Sequence, residues 1–192
     1  MKMLSTLVLA VLTVASAQIA KADAINVAVE AGLARTLVMA APLDLINWKV
    51  GDQAAFDVSI GAFGKIGTMN KSITKEEGGA IWIHQEANLV VQKDVTDMLL
   101  NRADGKVLKV IHNGKEETAP DEKPEIISQD TTEITVPAGS FKCIHVVGKT
   151  KTVEKFEIWA NPRDTVMDGS LKMVISGQME ITMELASFKH GQ

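Results

Sequence analysis

The chain has 192 residues, of which 46% are hydrophobic and 23% charged, and its 20 basic and 24 acidic residues give a formal net charge of −4. A domain of this size buries roughly two thirds of the surface that its unfolded chain exposes, so one hydrophobic core is expected. The acidic balance, without any basic cluster, argues against a nucleic-acid or anionic-membrane binder. The single cysteine excludes an internal disulfide.

The first 17 residues have the pattern of a secretory signal peptide. Lys2 precedes a short apolar run, and Ala15-Ser16-Ala17 provides the small residues that a signal peptidase recognises. We predict cleavage after residue 17, with an alternative end at residue 24, and a single mature domain over residues 18–192. Neither site offers a cysteine for a lipid anchor, and no segment is long and apolar enough to span a bilayer. We therefore expect a periplasmic protein, with full secretion as the alternative.

An amphipathic helix is predicted over residues 24–41. Its apolar positions recur every four residues until Pro42, and they are Ile25, Val29, Leu33, Leu37 and Ala41. The high alanine content favours the same conformation. A strand through residues 25–29 remains the alternative.

The central stretch, residues 48–117, is typical of an antiparallel meander. Alternating segments are separated by short glycine-containing turns, and two of these, Asp104-Gly105 and Asn113-Gly114, have the composition of two-residue type I′ hairpin turns. Residues 117–130 carry two prolines and many charges, which predicts a solvated connection. Five further strand-like segments follow, and in the last of them Met179, Ile181, Met183 and Leu185 alternate with polar or small residues.

Two motifs in the second half resemble those of a known group of proteins. The run TTEITVPAGSFKCIHV over residues 131–146 is similar to a V-P-A-G-[ST]-F-x-C signature of secreted bacterial domains of unknown function, and FEIWANPRDTVMDGSLK over residues 156–172 is similar to their W-x-x-P…G-x-x-K element. These domains look like relatives of the periplasmic lipoprotein-carrier fold. The resemblance implies an antiparallel half-barrel around an apolar cavity, partly covered by helices.

The predicted fold class is therefore α+β and mainly β. We expect a strongly curved antiparallel sheet, or half-barrel, of about nine to eleven strands with the N-terminal helix against its concave face.

Motifs that would indicate an enzyme, a metal site or a cofactor site are weak in this sequence. Cys143 and His145 lie two residues apart on a predicted strand, but a strand interior offers a thiol neither a helix N-terminus nor a cation to lower its pKa. The four histidines fall singly, without metal-ligand spacing. The segment 164–169 lacks the acids of a calcium loop, and no nucleophile elbow or nucleotide-binding loop is present. No catalytic residue, metal or cofactor is predicted.

Ordinary core filling is the favoured explanation of the methionine enrichment near the C-terminus. A methionine-lined apolar cavity or groove is the alternative, because the flexible thioether adapts to irregular apolar shapes. We expect an apolar cavity that shelters a lipid, an acyl chain or a lipidated protein partner, with affinity from apolar burial. The expected lining residues are Phe141, Trp159, Met173, Met179, Ile181 and Met183, with Trp82 as an alternate. Two other functions remain open: an envelope interaction protein that pairs through its sheet edges, and an enzyme that uses Cys143.

Overall fold

The computed structural model describes residues 48–90, 92–119, 124–151, 153–177 and 179–192. These residues form one antiparallel sheet of eleven strands. The strands are β1 (Gln53–Ile60), β2 (Gly64–Glu77), β3 (Ala80–Leu89), β4 (Lys93–Asn101), β5 (Val107–His112), β6 (Lys115–Glu117), β7 (Glu125–Val136), β8 (Gly139–Lys149), β9 (Lys155–Ala160), β10 (Ser170–Ser176) and β11 (Ile181–Lys189). A 3-10 turn, Gly61–Phe63, joins β1 to β2.

The strand order across the sheet is β6-β5-β4-β3-β2-β1-β11-β10-β9-β8-β7. The first six strands form one meander and the last five form another. The two meanders are joined where β1 pairs with β11, so the first and last strands lie at the centre of the sheet. In the described part of the chain, the three-residue β6 and the twelve-residue β7 are the two edges.

The predicted α+β class is wrong. The described residues form an open, all-β sheet, and their helical content is the three-residue turn after β1. The meander itself extends over both halves of the chain, because hairpin connections follow nearly every strand. The predicted helix over residues 24–41 and the predicted signal peptide, residues 1–17 with its alternative end at 24, lie outside the described residues. Within the described ranges, no helix has the length and hydropathy that crossing a membrane requires.

The prediction of type I′ turns is confirmed at one position and wrong at another. Asn113 and Gly114 both have positive φ, 48° and 79°, as a type I′ turn requires. The Asp104-Gly105 connection is longer, because β4 ends at Asn101 and β5 begins at Val107. There the Asn101 carbonyl accepts from Gly105 N–H at 2.9 Å, and the Asp104 carboxylate accepts from Lys106 N–H at 3.0 Å. One main-chain and one side-chain acceptor thus favour a wider loop over the two-residue turn.

The predicted connection over residues 117–130 is shorter than expected, because β7 begins at Glu125 and pairs with β8 from there. The first seven residues of β7, 125–131, are exposed. Charged side chains are compatible with a strand at this position, since an edge strand faces water on its open side.

The two faces of the sheet differ sharply in character. On one face, which we call the buried face, Phe56 pairs with Met69 and Leu185, and Met173 pairs with Ile158. These side chains are at most 4% exposed. Each large apolar side chain buried in this way stabilises the fold by roughly 1.5–3 kcal/mol. The opposite face, which we call the polar face, carries charged side chains, and its ion pairs include Lys65–Asp57 and Lys172–Glu184.

The tip of the β7–β8 hairpin reaches β11. Ala138 N–H donates to the Leu185 carbonyl at 3.0 Å, and the Phe141 ring lies 6.5 Å from the Phe188 ring. The Asn161 amide also donates to the Lys142 carbonyl at 2.8 Å, which ties the same hairpin to the loop after β9. The hairpin tip therefore packs on the central strand of the sheet.

Candidate functional site

Three of the predicted lining residues lie together on the buried face. Met173 and Met183 are directly paired between β10 and β11, and Ile181 pairs with Ile175 on β10 and with Ile60 on β1. Met173 and Met183 are 2% and 3% exposed, whereas Ile181 is partly buried. They form a continuous apolar surface at the centre of the sheet.

The other predicted residues are dispersed. Phe141 packs against the core from the hairpin tip, beside Phe188, and Met179 lies in the connection between β10 and β11. Trp159 pairs with His145 and Lys172 and so belongs to the polar face. The alternate, Trp82, donates its indole N–H to Glu77 at 2.9 Å. The lining set therefore does not form a single surface, and the cavity stays a prediction.

A polar row crosses the buried face, and sequence reasoning missed it. Lys71, Gln85 and Thr96 are paired in register across β2, β3 and β4, and all three are buried. The Lys71 ammonium lies 5.2 Å from the centre of the Phe56 ring. The available signal was the alternation in β2, where a lysine occupies an inward position between Met69 and Ile73.

A depression of about 330 Å³ lies on the polar face where β11, β1, β2 and β3 adjoin. Small side chains form its floor and longer polar side chains surround them. Its outward-facing lining residues are Gln53, Ala55, Asn70, Ser72, His84, Ser187 and Lys189. Lys71, Ala54 and Phe188 also border it. We call this feature the polar depression. A second depression, of about 530 Å³, lies around the end of β3 near Leu89 and Val90.

One row of the polar depression has the residue types of a hydrolytic triad. Ser72 pairs with His84, His84 pairs with Asp97, and His84 Nδ1 lies 2.8 Å from Asp97 Oδ1. The side chains of His84 and Asp97 are 34% and 37% exposed, however, so water competes with the polarisation that a catalytic base needs. Among the described residues no hydrogen bond joins Ser72 to His84. The row therefore favours binding over catalysis.

Cys143 does not have the surroundings of a reactive thiol. It is buried at 4% exposure, and its Sγ lies 3.7 Å from the Thr132 carbonyl across the β7–β8 pair. Burial, together with the charge of Asp130, raises the pKa of the thiol. A raised pKa lowers the thiolate fraction, and the thiolate is the nucleophile. The geometry therefore does not favour an enzyme that uses Cys143.

His145 belongs instead to a cluster that links strands on the polar face. Its ring stacks on Trp159 at 4.4 Å, with Nε2 3.0 Å from Glu157 and Nδ1 3.5 Å from Asp130. A hydrogen bond from Lys155, aided by His145, holds the pKa of Glu157 below its usual value. The cluster ties β7, β8 and β9 together. In the part of the chain that the structure describes, no group of three or more potential ligands is arranged to hold a metal ion.

Comparison with known proteins gives fold likenesses only. No protein-family model and no curated protein matches the chain. Among solved structures, a candidate exported protein with a YmcC-like fold from Bacteroides fragilis is 10% identical, with a TM-score of 0.46 over 76% of this chain and 98% of that one. MucB in complex with MucA(peri) is 15% identical, with a TM-score of 0.42 over 89% of this chain and 56% of that one.

A candidate outer membrane lipoprotein-sorting protein domain from Vibrio parahaemolyticus is 8% identical, with a TM-score of 0.33 over 82% of this chain and 91% of that one. The structural neighbours thus include a lipoprotein-sorting domain, although the V-P-A-G-S-F-K-C motif itself matches no family model. TM-scores below 0.5 mark loose likenesses, so the ligands and partners of these proteins are not transferred to this chain.

Proposed function

We propose that this chain is an exported, non-catalytic binding protein that takes an extended segment of a protein partner along the open edge of β7. The observation that carries the proposal is the position of β7: twelve residues long, at the end of the sheet, and paired with β8 alone among the described strands. Its residues 125–131 are all exposed. An edge strand of this length offers a row of main-chain donors and acceptors that a partner strand can pair with.

The side chains of β7 indicate the chemistry of the partner. The strand carries three acids, Glu125, Asp130 and Glu133, and no base. Each acid lies within 4 Å of a basic side chain of β8 but remains more than 60% exposed, so a partner can still reach it. Pairing with a second copy of β7 would add like charges to one interface, which is destabilising. A partner segment that carries lysine or arginine would be complementary. Ile127, which is 57% exposed beside a register shift in β7, would add an apolar contact.

Site-specific photo-crosslinking tests this proposal. With a photoreactive residue in place of Gln129, the protein is incubated with extract of its own exported compartment, and the cross-linked segment is identified by mass spectrometry. A synthetic peptide of that segment should protect alternate main-chain amides of residues 125–131, the exposed part of β7, from hydrogen exchange. Ile127→Ser should weaken peptide binding about tenfold, because it removes the apolar contact.

The matched control is Leu108→Ser on β5, where the side chain is 49% exposed. It should leave peptide affinity unchanged. Protection of amides elsewhere than β7, or equal weakening by the Ile127 and Leu108 variants, would contradict strand addition at this edge.

A second candidate function, sheltering an apolar ligand, is favoured by the methionines of the buried face. Four of them are 1–3% exposed on β2, β4, β10 and β11, and they are Met69, Met98, Met173 and Met183. Because these side chains are already covered, a ligand has to displace what packs on them. The β7–β8 hairpin tip, held to β11 through Ala138 and Phe141, is the described segment whose movement would open part of this face.

Native mass spectrometry distinguishes this candidate. Protein purified without detergent from its own exported compartment should carry a stoichiometric apolar adduct that organic extraction releases. The same protein, unfolded and refolded without lipid, should have the mass of the polypeptide alone. An adduct-free mass for the natively purified sample would contradict the apolar-ligand function and leave strand addition at β7 unaffected.

A further inference from the structure

We propose that the polar depression on the face opposite the core binds a small polar molecule through its phosphate or carboxylate group. The site is independent of the β7 edge, because its residues belong to β11, β1, β2 and β3 at the centre of the sheet.

Sheet register brings the lining side chains together. Lys189, Gln53, Ser72 and His84 form one row across four neighbouring strands, since each is the direct partner of the next. With about 4.8 Å between strands, this row is roughly 14 Å long. Ser187, Ala55 and Asn70 form a second row in the same way. The short side chains of Ala55, Ser72 and Ser187 leave the space between the longer ones.

The groups that line this space are mainly hydrogen-bond donors. Lys189 contributes an ammonium, Gln53 and Asn70 contribute amides, and the two serines contribute hydroxyls. Asp97 engages His84 at Nδ1, which fixes the ring and leaves Nε2 as the nitrogen that a ligand can reach. Among the described residues no carboxylate lines the depression itself, and the acids next to it, Asp97 and Glu86, are paired with His84 and Lys93. An oxyanion can accept from several such donors at once, and charge-assisted hydrogen bonds are the strongest of them.

Lys189, like Lys115 on β6, is a strand lysine for which the described residues provide no counter-charge. Most lysines on the strands lie within 4 Å of an acid, as Lys65, Lys93 and Lys172 do. Among the described residues, no ion pair involves Lys189, which lies at one end of the depression. An anionic group bound there would neutralise it. The volume of about 330 Å³ is at the lower end of the range for ligand pockets, which fits a small metabolite-sized molecule.

Titration with glycerol phosphate, followed by NMR of the full mature protein, tests the site. Glycerol phosphate should shift the amide signals of residues 53, 72, 84 and 187, whereas glycerol should not. Lys189→Ala should weaken binding about tenfold, because it removes a charge-assisted hydrogen bond. Ser72→Ala should weaken it several-fold. Both replaced side chains lie at the surface, and near-UV circular dichroism verifies that the variants are folded.

The matched control is Lys106→Ala, which removes an exposed lysine from the loop between β4 and β5. It should bind glycerol phosphate like the unchanged protein. Acetate titration and vesicles containing phosphatidylglycerol then distinguish a free carboxylate or phosphate from a lipid headgroup as the natural source of the oxyanion. Absence of shifts in this region with all three probes, or equal weakening by the Lys189 and Lys106 variants, would overturn the proposal.

Discussion

Phe156→Ala is expected to lower the free energy of unfolding by about 3–5 kcal/mol, which is a large fraction of the stability of a domain this size. The Phe156 side chain is 2% exposed on β9 and pairs with Ile175 on one side and Gly148 on the other. Its ring lies over Gly148, where any side chain on residue 148 would overlap it. Alanine would leave a cavity that the two neighbouring strands cannot close. Urea denaturation followed by tryptophan fluorescence measures the loss.

Phe63→Ala is the matched control, because the same side chain is removed from the turn after β1, where it is 75% exposed. A change of about 0.5 kcal/mol or less is expected there, as for most surface substitutions. Comparable losses at the two positions would mean that β9 does not belong to the core. A third substitution, Gly148→Ala, should destabilise the unchanged protein more than it destabilises Phe156→Ala, because the overlapping ring is then absent.

Local pattern was sufficient to predict most strands of this sheet. Alternation and glycine-containing turns placed strands between residues 53 and 117, and the last strand was predicted from Met183 and Leu185 alternating with Glu184. Hairpin formation depends on neighbouring residues, so it can be inferred from short windows of sequence. Where side chains compete for main-chain donors, as Asn101 and Asp104 do, composition alone misjudged the loop length.

Strand order could not be predicted in the same way. The pairing of β1 with β11 joins residues more than a hundred positions apart, and it decides that β7 is an edge and that Lys189 lies beside Gln53. Side-chain direction followed from this register. Trp159 was expected to line one surface with Met173. The cross-strand partner of Met173 is Ile158, however, and Trp159, the next residue along β9, points to the opposite face of the sheet. Candidate sites built from distant strands therefore required the structure.

Gly169→Ala is the second substitution with a large expected effect, about 3–5 kcal/mol of lost stability. Gly169 has φ of 75°, and its carbonyl accepts from Asn161 N–H at 2.8 Å within the loop between β9 and β10. A methyl group there would overlap the backbone of Asn161 and Pro162. The overlap would displace buried loop residues and break that hydrogen bond, and the left-handed backbone conformation of the alanine would add conformational strain. Urea denaturation measures the change.

Gly114→Ala separates the two causes. Gly114 has a similar φ of 79° in the β5–β6 turn, but a methyl group there meets no atom within 4 Å. The Gly114→Ala substitution should lower the free energy of unfolding only by this conformational strain, about 1–2 kcal/mol. Equal losses in the two variants would show that φ alone explains the effect. A larger loss of stability at Gly169 would show that the loop between β9 and β10 is tightly packed. Asn161 of this loop also donates to the Lys142 carbonyl, so a tightly packed loop would fix the β7–β8 hairpin against the sheet.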